Sequence, residues 1–343
     1  MRMYFKRGPS LALALIAAAV ITFGCGKQET GSSAGTGTLS GASAGKQYRI
    51  AVIPKGTAQS YWQTVKAGAE KAGGQYNADI IFQGPTEETD ISGQISIIDA
   101  QIVNHVDAIV LAACNATAPG LAAEVKKAQD AGIPVITIDS GIQPDTSVRF
   151  IATDNKKGGA AAADAMNTLL GPQGGNVGLL PFIQGAGSSD DRENGFKTEL
   201  AKYPQLHLVA TEYSQSDPSK GQEKVDAMLI AHPDMKGIFA ANQGGAVGAA
   251  QAIKQKGLAG KVKLVAYDAG DEEIAALKDG IIQALIVQRP FDMGYKGVQT
   301  AVEAIKDHKV KSDKPQMEDT GVTVVTMQNF NQPDIQKLLY PLK

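Results

Sequence analysis

The sequence predicts an α/β protein of two lobes, each a doubly wound parallel β-sheet with helices on both faces, joined by a hinge of several chain crossings. Short runs rich in β-branched residues alternate with amphipathic helical stretches from residue 48 onward. The strands are apolar almost throughout, which is typical of parallel strands buried on both faces. The pattern restarts near residue 148, and 343 residues are too many for one such lobe but suit two.

The first series of elements runs to residue 139. Its strands are expected at residues 48–54, 78–82, 108–112 and 135–139. The helices between them are expected at residues 60–73, 91–104 and 121–131. In the second of these helices Ile91, Ile95, Ile98 and Ile102 recur at helical spacing, which predicts one apolar face.

The second series repeats the architecture without repeating the sequence. It begins with a strand at 148–152 and an alanine-rich helix at 157–170, followed by the glycine-rich turn 171–175. Further strands are expected at residues 176–180, 206–212, 237–240, 262–267, 284–288 and 322–326. Further helices are expected at residues 190–202, 219–232, 245–256, 272–279 and 293–307.

The predicted division of the body follows from these two series. One lobe comprises residues 47–153 plus 290–319, and the other comprises residues 154–289 plus 320–343. Asp154 and Asn155 are expected in one hinge crossing. Gln288, Arg289 and Pro290 are expected in another, because proline limits the start of a helix and marks a chain reversal.

Residues 1–24 have the pattern of a secretory signal peptide. A basic start precedes an apolar run at 11–23 that is too short to span a bilayer. A plain signal and a lipoprotein signal are the alternatives, and Cys25 favours the second because it resembles the acylated cysteine of the bacterial lipobox. Residues 25–46 are rich in Gly, Ser, Thr and Ala, which predicts a flexible tether. We therefore expect an exported lipoprotein, in the periplasm or on the outer face of the cytoplasmic membrane.

Composition argues against several classes of function. The formal charge is −2, and no basic run is interleaved with aromatic residues, so nucleic acid is not an expected partner. The sequence shows no zinc-type cysteine spacing, P-loop, dinucleotide fingerprint or histidine-centred triad. We expect a monomeric binding protein without catalytic residues, metal or cofactor. Cys114 has no disulfide partner if Cys25 is acylated, and it is expected to be buried near a strand end.

Polar and aromatic residues follow the predicted strand ends in both lobes. Ligands of open parallel sheets bind beyond the carboxyl ends of the strands, so these residues are expected to face one cleft. Carboxylates accept hydroxyl protons, amides both donate and accept, and aromatic rings cover the C–H face of a sugar ring. The combination favours a polyhydroxylated small molecule.

Several segments together resemble one known family. They are residues 131–135 (AGIPV), 153–155 (TDN), 192–196 (RENGF), 239–242 (FAAN) and 265–268 (VAYD). From residue 46 to the end, the chain is similar to the ribose-binding branch of the type I periplasmic binding proteins, which serve sugar importers. The resemblance implies the type I fold, closure of two lobes on a sugar-like ligand, and recognition by the membrane permease of an ABC importer.

The resemblance also implies roles for individual residues. By this resemblance, Tyr61 and Trp62 are the residues expected to stack on the ligand, and Asp139 and Asp268 match the family's binding Asp residues. The full set of predicted ligand-binding residues is Gln59, Ser60, Tyr61, Trp62, Asp139, Ser140, Asp190, Arg192, Ser216, Asn242, Tyr267, Asp268 and Gln288.

Three of these positions differ from the ribose binder. Ser140 and Asp190 stand where it has arginines, and Ser216 stands where it has an aromatic residue, so ribose itself is not the expected ligand. Asp139, Asp190 and Asp268 suggest an acidic cleft and hence an aminated ligand or a larger polyol. Arg192 is expected to pair with Asp190 or Asp191.

Other functions remain as alternatives. A nucleoside or a furanose-derived signalling molecule, with a role in chemotaxis, would suit the same cleft. A sugar-responsive transcription repressor shares this two-lobe body but needs a helix-turn-helix ahead of it, where this chain has the predicted signal and tether. We therefore favour the importer function.

Overall fold

The computed structural model describes residues 47–340 of the 343-residue chain. These residues belong to one compact unit. The predicted signal peptide, Cys25 and the tether lie outside the described residues. Within the described range, no helix combines the length and the apolar character that a membrane span requires.

The chain alternates strands and helices from its first described residues. The strands are β1 (Tyr48–Ile53), β2 (Ala78–Phe82), β3 (Ala108–Leu111), β4 (Val135–Ile138), β5 (Phe150–Ala152), β6 (Gly175–Leu180), β7 (Leu206–Thr211), β8 (Met235–Ala240), β9 (Lys263–Tyr267), β10 (Ala284–Val287), β11 (Met317–Asp319) and β12 (Thr323–Val325). The helices are α1 (Ser60–Tyr76), α2 (Ile91–Val103), α3 (Pro119–Asp130), α4 (Asn155–Leu170), α5 (Gly187–Leu200), α6 (Pro218–Ala231), α7 (Gln243–Gln255), α8 (Asp271–Lys278), α9 (Pro290–Lys306) and α10 (Pro333–Gln336).

The strands form two six-stranded sheets, one in each lobe. The first lobe has the order β11-β5-β4-β3-β1-β2, and all of its strand pairs are parallel. The second lobe has the order β12-β10-β9-β8-β6-β7, in which only β12 is antiparallel to its neighbour. The chain passes between the sheets after β5, after β10 and between β11 and β12. The predicted fold class of two doubly wound lobes is confirmed.

Close helix packing in both lobes depends on glycine. In the first lobe α1 crosses α9, and a Cβ atom at Gly68 would lie 2.0 Å from the carbonyl oxygen of Phe291. In the second lobe α4 crosses α5, and a Cβ atom at Gly159 would lie 2.1 Å from the carbonyl oxygen of Arg192. Side chains at these positions would force the helices apart, so the contact holds Arg192 at a fixed place on α5.

Two short elements were not predicted from the sequence. The strand β11 is the exposed three-residue segment Met-Glu-Asp, which has no apolar pattern, and α10 has only four residues. Their formation depends on contacts with distant parts of the chain. β11 pairs with β5, and the segment after β12 buries Phe330, Ile335 and Tyr340, the last of these beside Tyr61 of the first lobe.

Candidate functional site

A small cavity lies between the lobes at the carboxyl ends of the strands. Its lining residues come from both lobes and are Lys55, Gln59, Tyr61, Trp62, Glu88 and Asp139 from the first and Phe182, Arg192, Asn242, Asp268 and Gln288 from the second. A larger space adjoins it between the lobes and shares Gln59, Trp62 and Glu88 with it. We call these the inner cavity and the outer cavity.

Asp139 is the centre of a buried polar cluster in the first lobe. It directly follows β4, its φ is 57°, and only 3 % of it is exposed. Its carboxylate contacts Lys55 Nζ at 2.8 Å and accepts hydrogen bonds from the Tyr61 hydroxyl at 2.9 Å and Ser140 Oγ at 2.9 Å. Burial by itself raises the pKa of Asp139, but the charges of Lys55 and Arg192 outweigh it and hold that pKa below the usual value.

Lys55 carries the matching positive charge. Burial lowers the pKa of Lys55, but attraction to Asp139 and Glu88 outweighs burial and raises it above the usual value. The ammonium also donates to Ser140 Oγ at 3.2 Å and to Ser188 Oγ of the second lobe at 3.0 Å. Asp139 and Lys55 are therefore both charged at neutral pH.

Asp268 occupies the corresponding place in the second lobe. It directly follows β9 with φ of 87°, and its carboxylate accepts from the backbone N–H of Gln243 at 3.0 Å and from Gln288 Nε2 at 2.7 Å. Burial raises the pKa of Asp268, opposed by the charge of Arg192. The other amide atom, Gln288 Oε1, is buried and has no hydrogen-bond partner among the described residues.

Arg192 is held rigidly at the cavity wall. Its Nε donates to Asn155 Oδ1 at 2.8 Å, and its Nη1 donates to the carbonyl oxygen of Ala241 at 2.8 Å. Its guanidinium carbon lies 3.7 Å from the centroid of the Tyr267 ring. The predicted pairing of Arg192 with Asp190 or Asp191 is wrong, since neither carboxylate contacts it.

The aromatic walls come from both lobes. Tyr61 and Trp62 lie in the first turn of α1, and their rings meet edge to face with centroids 4.9 Å apart. The Trp62 indole N–H donates to Glu88 Oε1 at 2.8 Å, which fixes the ring. Phe182 of the second lobe lies with its ring centroid 5.1 Å from Lys55 Nζ.

The structure brings most of the predicted site residues together. Those that line the inner cavity are Gln59, Tyr61, Trp62, Asp139, Arg192, Asn242, Asp268 and Gln288. Ser60 and Ser216 line the outer cavity instead, and Ser140 and Tyr267 contact residues of the inner cavity without lining it. Ser60 accepts from Gln243, Ser140 contacts Asp139, Ser216 donates to Glu88, and Tyr267 lies beneath Arg192. Their predicted contact with ligand stays a prediction.

Asp190 is the predicted residue that the structure places away from the cavity. Its carboxylate accepts from the backbone N–H of Gly185 at 3.2 Å. Residues two apart on a helix point to different sides, so the orientation that brings Arg192 to the cavity turns Asp190 away. Since Asp139 is also paired with Lys55, two of the three carboxylates that suggested an aminated ligand no longer support one.

Sequence reasoning missed Lys55, Glu88 and Phe182. Lys55 and Phe182 each stand two residues after the end of a strand, so the strand-end rule that identified Asp139 applies to them as well. Glu88 lies within the long loop between β2 and α2, at no regular distance from either element, and no sequence pattern marks it.

Comparisons with known proteins agree with this fold. The family described as "periplasmic binding protein domain" matches residues 50–309. The D-ribose/D-allose-binding protein of Pseudomonas aeruginosa is 33% identical over 287 residues, which cover 81% of this chain and 88% of that protein. The ribose import binding protein of Escherichia coli is 29% identical and covers 78% of this chain and 88% of its own length.

Solved structures give the same result. An ABC transporter solute-binding protein from Agrobacterium vitis with bound D-fucose is 37% identical, with a TM-score of 0.80, and the match covers 85% of this chain and 100% of that one. A carbohydrate transporter solute-binding protein from Agrobacterium radiobacter in complex with D-arabinose is 36% identical, with a TM-score of 0.79 and coverage of 85% and 99%. The two lobes, the cavity between them and these matches show that the chain belongs to the periplasmic binding protein family.

Proposed function

We propose that this protein is the extracytoplasmic substrate-binding component of an ABC importer and that it binds a neutral monosaccharide or a similar polyhydroxylated molecule by hinge closure. The observation that carries the proposal is the inner cavity, where each lobe contributes one buried carboxylate at a strand end, Asp139 from one and Asp268 from the other. The solved relatives that hold D-fucose and D-arabinose support it.

The lining suits hydroxyl groups. Asp139 and Asp268 accept hydrogen bonds from hydroxyls, while the remaining N–H groups of Arg192 and Asn242 donate to the hydroxyl oxygens. Each such charge-assisted bond contributes about 1.5–3 kcal/mol, so a few of them support binding after the ordering cost of association. The positive and negative groups nearly balance, which favours a neutral ligand.

Two further features point to a single sugar ring. A ligand hydroxyl would satisfy Gln288 Oε1, whose buried and unpaired state is costly without a partner. The aromatic rings of Tyr61, Trp62 and Phe182 supply the apolar walls that cover a ring's C–H faces.

Closure follows from the position of these groups. A sugar in the cavity contacts both lobes at once, so it binds the closed state more tightly than an open one and shifts the population toward it. The three chain crossings are the natural hinge. There the backbone N–H of Asp154 donates to Asp319 Oδ1 at 3.0 Å and links two of the crossings.

Export and anchoring form the other part of the proposal. The sequence of residues 1–24 and the position of Cys25 support secretion and acylation, and relatives named as import binding proteins support a permease partner. In a bacterial host, the wild-type protein is expected in the membrane fraction and the C25A variant in the soluble fraction. Equal membrane association of the two would contradict acylation of Cys25.

A ligand panel tests the binding function. The intensity of Trp62, the single tryptophan, and the melting temperature are followed with aldoses, ketoses, polyols, amino sugars and nucleosides. A ligand at 100 times its Kd stabilises the native state by about 2.7 kcal/mol, which raises the melting temperature by several degrees. We expect a neutral monosaccharide to do so in the wild type and not in D139N or D268N. Stabilisation by nucleosides alone would contradict the proposal.

A further inference from the structure

Glu88 is a buried carboxylate held by one donor from each lobe. It lies in the loop between β2 and α2, and only 6 % of it is exposed. Its Oε1 accepts from the Trp62 indole N–H at 2.8 Å within the first lobe. Its Oε2 accepts from Ser216 Oγ of the second lobe at 2.7 Å. The carboxylate therefore connects the aromatic wall of one lobe to the facing edge of the other.

The contact continues into the second lobe. Asn242 Nδ2 donates to Ser216 Oγ, and Asn242 Oδ1 accepts from the backbone N–H of Gly245 at the start of α7. Gln59 of the first lobe also bonds to Ser216 across the gap, from its Nε2 to the carbonyl oxygen of Ser216 at 3.2 Å. Ser216 is thus held by side chains from both sides of the gap.

This contact also lies at the boundary between the two cavities. Glu88 and Trp62 line both the inner and the outer cavity, while Ser216 lines the outer and Asn242 the inner. A ligand in the inner cavity would leave through this boundary or by separation of the lobes. Either route disrupts the bond between Glu88 and Ser216.

We propose that Glu88 is a positioning residue that clasps the closed lobes through Ser216 and thereby sets the rate of ligand release. The proposal rests on the proposed function, because it concerns retention of the sugar in the same site. We call Trp62, Glu88, Ser216 and Asn242 the clasp. Glu88 acts through Trp62 and Ser216 and needs no contact with the ligand.

Buried-charge energetics predict how substitutions combine. S216A leaves the Glu88 charge buried in the closed state with one donor lost, which is costly. E88A removes the buried charge but leaves the Trp62 indole N–H without its acceptor, while Ser216 keeps its bond to Asn242. The double variant E88A/S216A lacks both partners. Its koff should therefore not exceed that of E88A. It should also be lower than the koff obtained by multiplying the fold-changes of the two single variants.

Stopped-flow kinetics measured through Trp62 fluorescence test the clasp, with the best sugar of the ligand panel. We expect S216A to raise koff about tenfold or more with kon changed less than about threefold, since loss of a buried hydrogen-bonded partner acts on dissociation. E88Q keeps an acceptor for Trp62 and is expected to lie between wild type and E88A. E87A is the matched control, because Glu87 is exposed and lines only the outer cavity. Its koff should equal that of the wild type.

Two results overturn the proposal. The first is an unchanged koff in both S216A and E88A, and the second is single effects that multiply in the double variant. The melting temperature of S216A without ligand separates loss of the clasp from loss of the fold, since the clasp predicts little change there. If the wild type binds no sugar, the proposed function fails and the clasp fails with it. If the wild type binds a sugar and the effects of S216A and E88A on koff simply multiply in the double variant, only the clasp fails.

Discussion

Removal of the Lys55 ammonium is the most informative perturbation of the buried site. Lys55 and Asp139 have side chains only 3% and 4% exposed, with Nζ and Oδ2 2.8 Å apart. K55M leaves the Asp139 carboxylate buried without its cation, and breaking a buried pair in this way costs about 3–5 kcal/mol. In urea, with a slope of about 3 kcal/mol/M, that loss moves the unfolding midpoint down by about 1 M or more.

The double variant separates loss of the pair from loss of its charges. K55M/D139N removes both charges and keeps an amide that the Tyr61 hydroxyl can contact. Removal of both partners is far less costly than removal of one, so the double variant is expected to regain at least half of the lost stability. K126M is the control, because Lys126 and Asp130 form an exposed pair worth about 1 kcal/mol or less.

The pH dependence of stability gives an independent check. In the wild type the lowered pKa of Asp139 contributes stability above the unfolded value of 3.8, and this stability is lost as pH falls through the folded pKa. In K55M the cation that opposed burial is gone, so the pKa of Asp139 rises and stability should increase as pH falls from 7 toward 5. Equal stability of K55M and K55M/D139N, together with a flat pH profile between 5 and 7, would refute this reasoning.

Three further predictions each concern one buried side chain. Q288A should weaken sugar binding about tenfold in calorimetry, because a sugar hydroxyl loses Gln288 Oε1, and should also lower the melting temperature of the free protein, because the buried Asp268 carboxylate loses the donor Gln288 Nε2; unchanged affinity would contradict it. Y340A should lower the free energy of unfolding by about 3–5 kcal/mol in urea titrations, since Tyr340 is buried with its ring centroid 6.1 Å from that of Tyr61; a loss below 1 kcal/mol would contradict it. Burial raises the pKa of Cys114 to about 12, so in a C25S variant the folded protein should not react with a thiol reagent at pH 8 and the urea-unfolded protein should; labelling of the folded form would contradict it.

The sequence was sufficient for most of the fold because local patterns and tertiary packing agree there. β3 is a continuous apolar run, β4 is apolar apart from Thr137, and both are buried throughout. On α2, Ile91, Ile95, Ile98 and Ile102 recur at helical spacing and pack into the core. β11 has no such pattern, since its three residues form a strand only because the returning chain lies beside β5. A strand of this kind is determined by distant contacts that periodicity does not report.

The site was predictable where strand ends determine it and unpredictable where loops or helix faces do. Asp139 and Asp268 directly follow strands, and the topology alone brings them to one cleft. Glu88 reaches the same cavity from within a loop, and Asp190 misses it because of its angular position on α5. Both depend on side-chain direction, which a linear sequence does not specify.

A crystal structure with the tightest-binding monosaccharide tests most directly whether one ligand joins the two lobes. We expect the sugar ring in the inner cavity, with hydroxyl groups bonded to the carboxylates of Asp139 and Asp268 and to Gln288 Oε1. A sugar bound to one lobe only, or outside the space between Trp62 and Arg192, would contradict the proposed mode of binding.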